Sequence, residues 1–196
     1  DLLEILTQKA KEGVEIKLLF DDFGTLYIND KYFREDLRAR GIELCIFNPI
    51  HHDIARLSCN YRDHRKITVV DGRVGFTGGV NLADEYINEV VKYGHWKDTA
   101  VKIEGEAVKN LVALFISLWN MQDVKQLDCD KYLIPINGGD RGKGYVIPFG
   151  DSPSPIDTED IGKTVYLNIL NSARDYVYIC TPYLICDREL INAMCV

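Results

Sequence analysis

The sequence has no surplus of positive charge: 23 Lys and Arg face 30 Asp and Glu in 196 residues, a formal net charge of −7. Chains that bind nucleic acid without regard to sequence ordinarily carry a basic footprint, so that class is disfavoured. Proline and glycine number only 6 and 15, near ordinary usage, which excludes collagen-like and proline-rich disordered chains. The six cysteines, Cys45, Cys59, Cys129, Cys180, Cys186 and Cys195, form no C-x-x-C pair. In a chain of this size they are expected as reduced, mostly buried thiols and not as a disulfide framework. The longest stretch without charge, Asn110 to Gln122, falls short of the roughly 20 apolar residues that a membrane-crossing helix needs and reads as a buried helix. No initiator Met, basic leader or small-residue cleavage site opens the chain at Asp1, so no signal peptide is expected and the chain reads as a piece of something longer.

What is present is an ordinary globular composition, 46% hydrophobic and 27% charged, with enough apolar residues for a sizeable core. Leu2, Leu3, Ile5, Leu6 and Ala10 fall at helical spacing before Gly13, and the run Val14 to Phe20 then reads as a buried parallel strand. The alternation repeats, with a helix over Asp30 to Arg40 closed by Gly41 and a strand over Ile42 to Phe47. Two strands, Arg65 to Val70 and Val74 to Thr77, are joined by an Asp71-Gly72 turn. A strand over Trp96 to Ile103 and a long helix over Glu104 to Gln122 complete an α/β layer set. The stretch 132–160, with Gly138-Gly139, Gly142, Gly144 and Asp151-Ser152-Pro153, reads as a connecting region. Beyond it are expected a helix over Ile161 to Arg174, a strand over Tyr176 to Cys180, and a further helix from Asp187, its cap, to Met194. Leu190, Ile191 and Met194 overlay Leu2, Leu3 and Leu6, so the chain reads as starting and stopping at equivalent points of a repeat.

The sharpest pattern is His64-x-Lys66, then Asp71, then Gly78-Gly79-x-Asn81. Residues two apart on a strand share a face, so His64 and Lys66 project together, and the turn at Asp71 lets the second strand return Gly78, Gly79 and Asn81 to the same end. Phosphoryl chemistry needs such a set: an imidazole that is neutral near pH 7 and can act as a nucleophile, an ammonium and an amide for nonbridging oxygens, and glycines that admit backbone close to a phosphate. At average residue usage the six fixed positions coincide by chance in on the order of a few chains per million. No cluster of metal ligands accompanies them, and no cofactor is expected. Asp71 opens a turn, and binding its own backbone there is at least as good an account of it as a chemical role.

These residues resemble the HKD motif of the phospholipase D superfamily, and the words Asn60-Tyr61-Arg62-Asp63-His64-Arg65-Lys66, Gly75-Phe76-Thr77-Gly78-Gly79-Val80-Asn81, Trp96-Lys97-Asp98-Thr99 and Thr181-Pro182-Tyr183 are similar to those of its bacterial cardiolipin synthase branch. The resemblance implies a mixed sheet flanked by helices, with a first repeat over 1–131 lacking its first strand, the connecting region 132–160, and the start of a second repeat over 161–196. It also implies a phosphohistidine on His64, with Lys66, Gly79 and Asn81 holding the phosphate. The family's carboxylate behind the nucleophile falls to Asp98, with Glu85 as the alternative.

The family uses two HKD motifs, one His as nucleophile and the other as general acid, whereas this chain has one. His95-Trp96-Lys97 is a second H-x-K, but Lys102 stands where Asp is needed and no Gly-Gly-x-Asn follows, so it reads as a decoy. The expectation is a fragment that is inactive alone, its site completed by a second HKD half in cis or by a homodimer with both His64 facing inward. His51-His52 read as loop residues before metal ligands. Gly138 to Gly144 lacks the G-K-[ST] ending of a phosphate loop and reads as a plain loop, and Tyr27, Tyr32, Phe33 and Tyr61 as filler before a lipid portal.

The resemblance implies a phosphatidyltransferase that condenses two phosphatidylglycerols to cardiolipin and glycerol. Its parent protein would sit at a bacterial cell membrane and meet anionic phospholipid, with no nucleic-acid partner. A hydrolytic phospholipase D or related phosphodiesterase is the alternative within the same chemistry. A non-catalytic half-domain that binds anionic headgroups is the alternative outside it.

Overall fold

The computed structural model describes residues 2–25, 30–50, 62–92, 94–122, 124–135, 144–151, 159–181 and 183–195. They fall into two compact units, one up to Pro148 and one from Phe149 onward.

In the first unit, α1 (Leu2–Lys11), β1 (Ile16–Asp21), α2 (Lys31–Ala39) and β2 (Ile42–Phe47) realise the helix-strand alternation. Asp30 caps α2 by accepting from Phe33 N at 2.7 Å, and Gly41, at φ +83°, turns the chain from α2 into β2. β1 and β2 pair in parallel from Ile16↔Ile42 to Asp21↔Phe47. Their even-numbered side chains meet Leu37 of α2 and Leu3 and Leu6 of α1 in one cluster. The opposite face, where Cys45 is fully buried and Lys17 lies over the Trp119 ring, turns to the helix α3 (Val108–Asn120).

β3 (Ile67–Val70), β4 (Val74–Gly78) and β5 (Ala100–Glu104) form an antiparallel sheet in that order. Ile67, Val69 and Ile103 pack on Val108, Leu111, Val112 and Ile116 of α3, while Val70 and Phe76, of the opposite parity, are exposed. Gly75 sits under the helix: a Cβ there would meet Leu111 Cδ1 at 2.6 Å. Helix α3 therefore serves both sheets, and the long uncharged stretch is buried as its composition requires, with Leu111, Val112, Ile116, Leu118 and Trp119 all in the core. A short helix α4 (Cys129–Tyr132), capped by Asp128, follows.

The second unit carries α5 (Ile161–Ser172) and α6 (Arg188–Cys195), with Asp187 capping α6 through Leu190 N at 3.0 Å and Lys163 pairing with Asp187 and Glu189 at 2.6 Å each. Two expectations are corrected here. Among the described residues Tyr176 to Cys180 has no ladder partner and is not a strand; Tyr176 and Tyr178 are 72% and 87% exposed, because alternation makes a strand only where an edge receives it. The thiols are free, but only Cys45 of the five described is buried, and Cys180 and Cys195 are exposed. Cys59 lies outside the described residues.

Gly75→Ala is expected to destabilise the chain by about 1–3 kcal/mol, since the methyl group must displace a core leucine. Gly24→Ala, with nothing within 4 Å of the added Cβ, should be neutral or slightly stabilising. Urea denaturation of the two variants tests this, and equal stabilities would contradict the packing described.

Candidate active site

The hairpin turn places the motif. Asp71 and Gly72 both adopt left-handed backbone, at φ +53° and +63°, and Val70 O accepts Arg73 N at 3.0 Å, the geometry that joins twisted strands tightly. Asp tolerates that conformation, and a Cβ on Gly72 would lie 2.8 Å from Tyr132 O. The register Ile67↔Thr77 then carries Gly78 and Gly79 back beside the start of β3, where Lys66 stands. Asp71 itself remains at the other end of the hairpin, roughly 15 Å along the strand from Lys66; the structure does not bring it to the remaining motif residues.

The segment that leads into β3 is held from a different sheet. Asp21, at the carboxyl end of β1, has a side chain only 9% exposed. Its Oδ1 accepts Phe23 N at 2.8 Å and the Arg62 guanidinium at 3.1 Å, and its Oδ2 accepts Asp63 N at 2.8 Å. Arg62 also donates to Asn48 O at 3.0 Å, and Asp63 accepts from Arg65 Nε at 2.6 Å. The neighbouring Asp22 accepts Ile50 N at 2.7 Å.

His64 is exposed and Lys66 half-buried. The Lys66 ammonium donates to the His64 backbone carbonyl at 2.7 Å, which folds the lysine back along the segment before β3. Burial pulls the Lys66 pKa below its ordinary value, and the charges of Asp63 and Asp98 work against that shift. Asp98 is thus electrostatically coupled to Lys66. Its Oδ1 accepts Thr99 N at 2.7 Å and its Oδ2 accepts the Trp96 indole N–H at 3.2 Å. Trp96 is fixed in turn by Asn88, which accepts its N–H at 2.6 Å and donates to its carbonyl at 3.0 Å, and by the edge of the Tyr86 ring.

Gly78 and Gly79 have a reason to be glycine that the spacing alone does not reveal. A Cβ on Gly79 would collide with the Asp98 carboxylate, and one on Gly78 with Thr99 O and Ala100 Cα. Gly79 N donates to Thr99 O at 3.1 Å, extending the β4–β5 ladder by one step. The missing side chains admit the β5 strand first, and that strand brings Asp98 to the site. Asn81, half-buried, follows in a turn closed by Ala83 N on its carbonyl at 3.0 Å. Glu85 pairs with Lys92 at 3.5 Å. Of the two candidate carboxylates, Asp98 is the one whose charge acts on Lys66. Among the described residues no hydrogen bond joins Asp98 to the His64 ring.

Of the remaining candidates, His95 and Lys97 are exposed in the loop ahead of Asp98, and Tyr32 is 80% exposed while Phe33 packs into the α1–α2 cluster. His51, His52, Tyr27, Tyr61 and the 138–143 stretch lie outside the described residues. A shallow cavity of about 430 Å³ lined by Arg38, Ile42, Glu43, Trp119 and Lys125 includes none of the motif residues. Among the described residues, no group of three His, Cys, Asp or Glu side chains stands where it could hold a metal ion, and no helix is long and apolar enough to cross a membrane.

A family model described as cardiolipin synthase, PLD-like domain, matches residues 1–119, which hold the whole H-x-K, Gly-Gly and Asp98 assembly. The chain belongs to this phospholipase D-like family. Relatives include an uncharacterized protein of Streptococcus mutans, 44% identical over 99% of this chain and 41% of its own length. A cardiolipin synthase of Clostridium perfringens is 39% identical over 98% of this chain and 40% of its own length. One of Alkalihalophilus pseudofirmus is 35% identical over 97% and 37%. The chain thus spans about two-fifths of the length of the relatives it matches. The mixed α/β architecture is that of a phospholipase D-like domain.

Within this phospholipase D-like site, Asp98→Asn removes a charge that props up the Lys66 ammonium, so the Lys66 pKa should fall further below its ordinary value. A titration of the Lys66 ¹³Cε resonance checks this; an unchanged or raised pKa would contradict the coupling.

Proposed function

We propose that the chain is the nucleophile-bearing half of a cardiolipin synthase-like phosphatidyltransferase, with His64 as the nucleophile. The observation that supports the reading is the H-x-K and Gly-Gly-x-Asn pattern in a chain of this family, with Asp98 lying against Gly79 and its charge acting on Lys66. The His64 imidazole attacks the phosphorus of phosphatidylglycerol. A P–N bond forms as the P–O bond to the glycerol headgroup breaks, and glycerol leaves with a proton from a general acid. The hydroxyl of a second phosphatidylglycerol then attacks and gives its proton back to that same group, now acting as general base, forming a P–O bond as the P–N bond breaks, and cardiolipin is released. Lys66 and Asn81 stabilise the charge that grows on the nonbridging oxygens, while the Gly79 N–H stays bonded to Thr99 O and its missing side chain gives room beside Asp98. Asp98 favours the charged, phosphorylated imidazole once the ring turns toward it. Asp71 serves as the turn.

The general acid comes from a second HKD half. With one such motif in 196 residues, the chain is the first repeat, over 1–131, with the connecting region 132–160 and the start of a second repeat over 161–196. It is inactive alone and is completed in cis by further sequence or by a second copy. The parent protein works at a bacterial membrane surface.

Acid-quenched trapping with radiolabelled phosphatidylglycerol tests the proposal on the chain, on a form extended beyond Val196, and on His64→Ala in each. Label is expected on the extended protein and absent from His64→Ala, while Lys66→Ala slows labelling about 100- to 1000-fold. Cardiolipin with glycerol as products supports transfer, and phosphatidic acid supports hydrolysis. Turnover that survives His64→Ala would overturn the assignment.

A further inference from the structure

We infer that Asp21 is a positioning residue for the His64 nucleophile, acting across two sheets on the backbone that carries it. The inference rests on the reading of His64 as the nucleophile. Sequence gives Asp21 no distinction beyond ending an apolar strand. The structure gives it three donors at the edge of the site. Both its oxygens are filled, with Phe23 N and Arg62 on Oδ1 and Asp63 N on Oδ2, and its side chain is only 9% exposed.

The bond to Asp63 N fixes the peptide one residue before His64. The bond to Arg62 holds the residue before that, and Arg62 reaches on to Asn48 O after β2. Arg65 is drawn back onto Asp63, whose side chain is also 9% exposed. His64 therefore sits between two residues tied to one another, and that unit is tied to the carboxyl end of β1. The His64 ring is exposed, and no hydrogen bond to it is present among the described residues. Its placement thus depends on its backbone, and the backbone depends on Asp21. Nothing else described links β1 to this segment through a side chain so little exposed.

An asparagine cannot do this work. Asp21 meets three donors with two acceptor oxygens, whereas the amide of Asn has one acceptor and would turn an N–H toward Asp63 N or toward Arg62. At least one donor, half-buried where it is Asp63 N or Arg62, then loses its acceptor, and the segment before His64 moves to resolve it. A nucleophile displaced by about 1 Å loses on the order of 100-fold in rate without losing its substrate.

The test uses the full-length protein containing this chain, with Asp21→Asn, Arg62→Lys as a milder cut in the same link, and Asp22→Asn, which breaks the nearby bond to Ile50 N instead. Single-turnover labelling by radiolabelled phosphatidylglycerol in mixed micelles is expected to slow about 10- to 100-fold in Asp21→Asn and less in Arg62→Lys. The half-saturating lipid concentration should stay within about twofold and Asp22→Asn within about threefold of the unaltered rate. In ¹⁵N-histidine spectra, the His64 ring signals, assigned through His64→Ala, should shift in Asp21→Asn and hold in Asp22→Asn. If Asp21→Asn does not fold, Arg62→Lys carries both readouts. Labelling within twofold of the unaltered protein, with unmoved His64 signals, would overturn the inference. So would equal losses in Asp21→Asn and Asp22→Asn that track a common fall in Tm. Should the unaltered protein take no label, the reading of His64 as nucleophile fails, and the ring signals alone decide whether Asp21 positions it.

Discussion

Helix α3 can serve two sheets because one residue of β4 has no side chain. At Gly75 the Leu111 methyl group occupies the space a Cβ would need, so the helix sinks onto the β3–β4–β5 sheet and buries Ile67, Val69 and Ile103. Farther along, its Trp119 lies under Lys17 of β1, and Gln122 beyond its end accepts Asn48 N after β2 at 3.0 Å. The parallel pair and the antiparallel sheet are thereby held in one body. Only then can a carboxylate at the end of β1 reach the segment that enters β3. A one-residue slip of β4 would put Phe76 under the helix and send the core face to solvent.

The site is electrostatically economical for a chain of net charge −7. It gathers one ammonium, Lys66, under the influence of Asp63 and Asp98, with Arg62 and Arg65 committed to Asp21 and Asp63. These structural pairs keep two guanidinium groups near the site without leaving either bare. Lys66 is half-buried among these charges.

Local signals were the legible ones. Helix-strand alternation, the cap Asp187 and the Asp71-Gly72 turn each depend on a few adjacent residues, and each stands where its chemistry puts it. The return of Gly78 and Gly79 to the start of β3 was legible because a hairpin converts spacing into proximity, whereas His64 and Lys66 lie ahead of β3, which begins at Ile67 and not at Arg65. Long-range causes were not. Tyr176 to Cys180 alternates like a strand, but a strand is a relation between two segments. The glycines at 78 and 79 look like room for a phosphate, yet they first admit Asp98 and Thr99, about twenty residues onward. Asp21 reads as the end of an apolar run, and its grip on Arg62 and Asp63 spans 41 and 42 residues. Exposure of Cys180 and Cys195 likewise depends on how the second unit packs, which cysteine spacing does not encode.

The central claim is that His64 forms a covalent bond to phosphorus, so the most direct test is stereochemical. A phospholipid whose phosphorus is made chiral with sulfur and oxygen isotopes would be turned over by the full-length protein and the product configuration determined. Two successive in-line displacements, one by His64 and one by the acceptor, predict net retention. Inversion would mean that the acceptor attacks phosphorus directly, and it would contradict a phosphohistidine at His64.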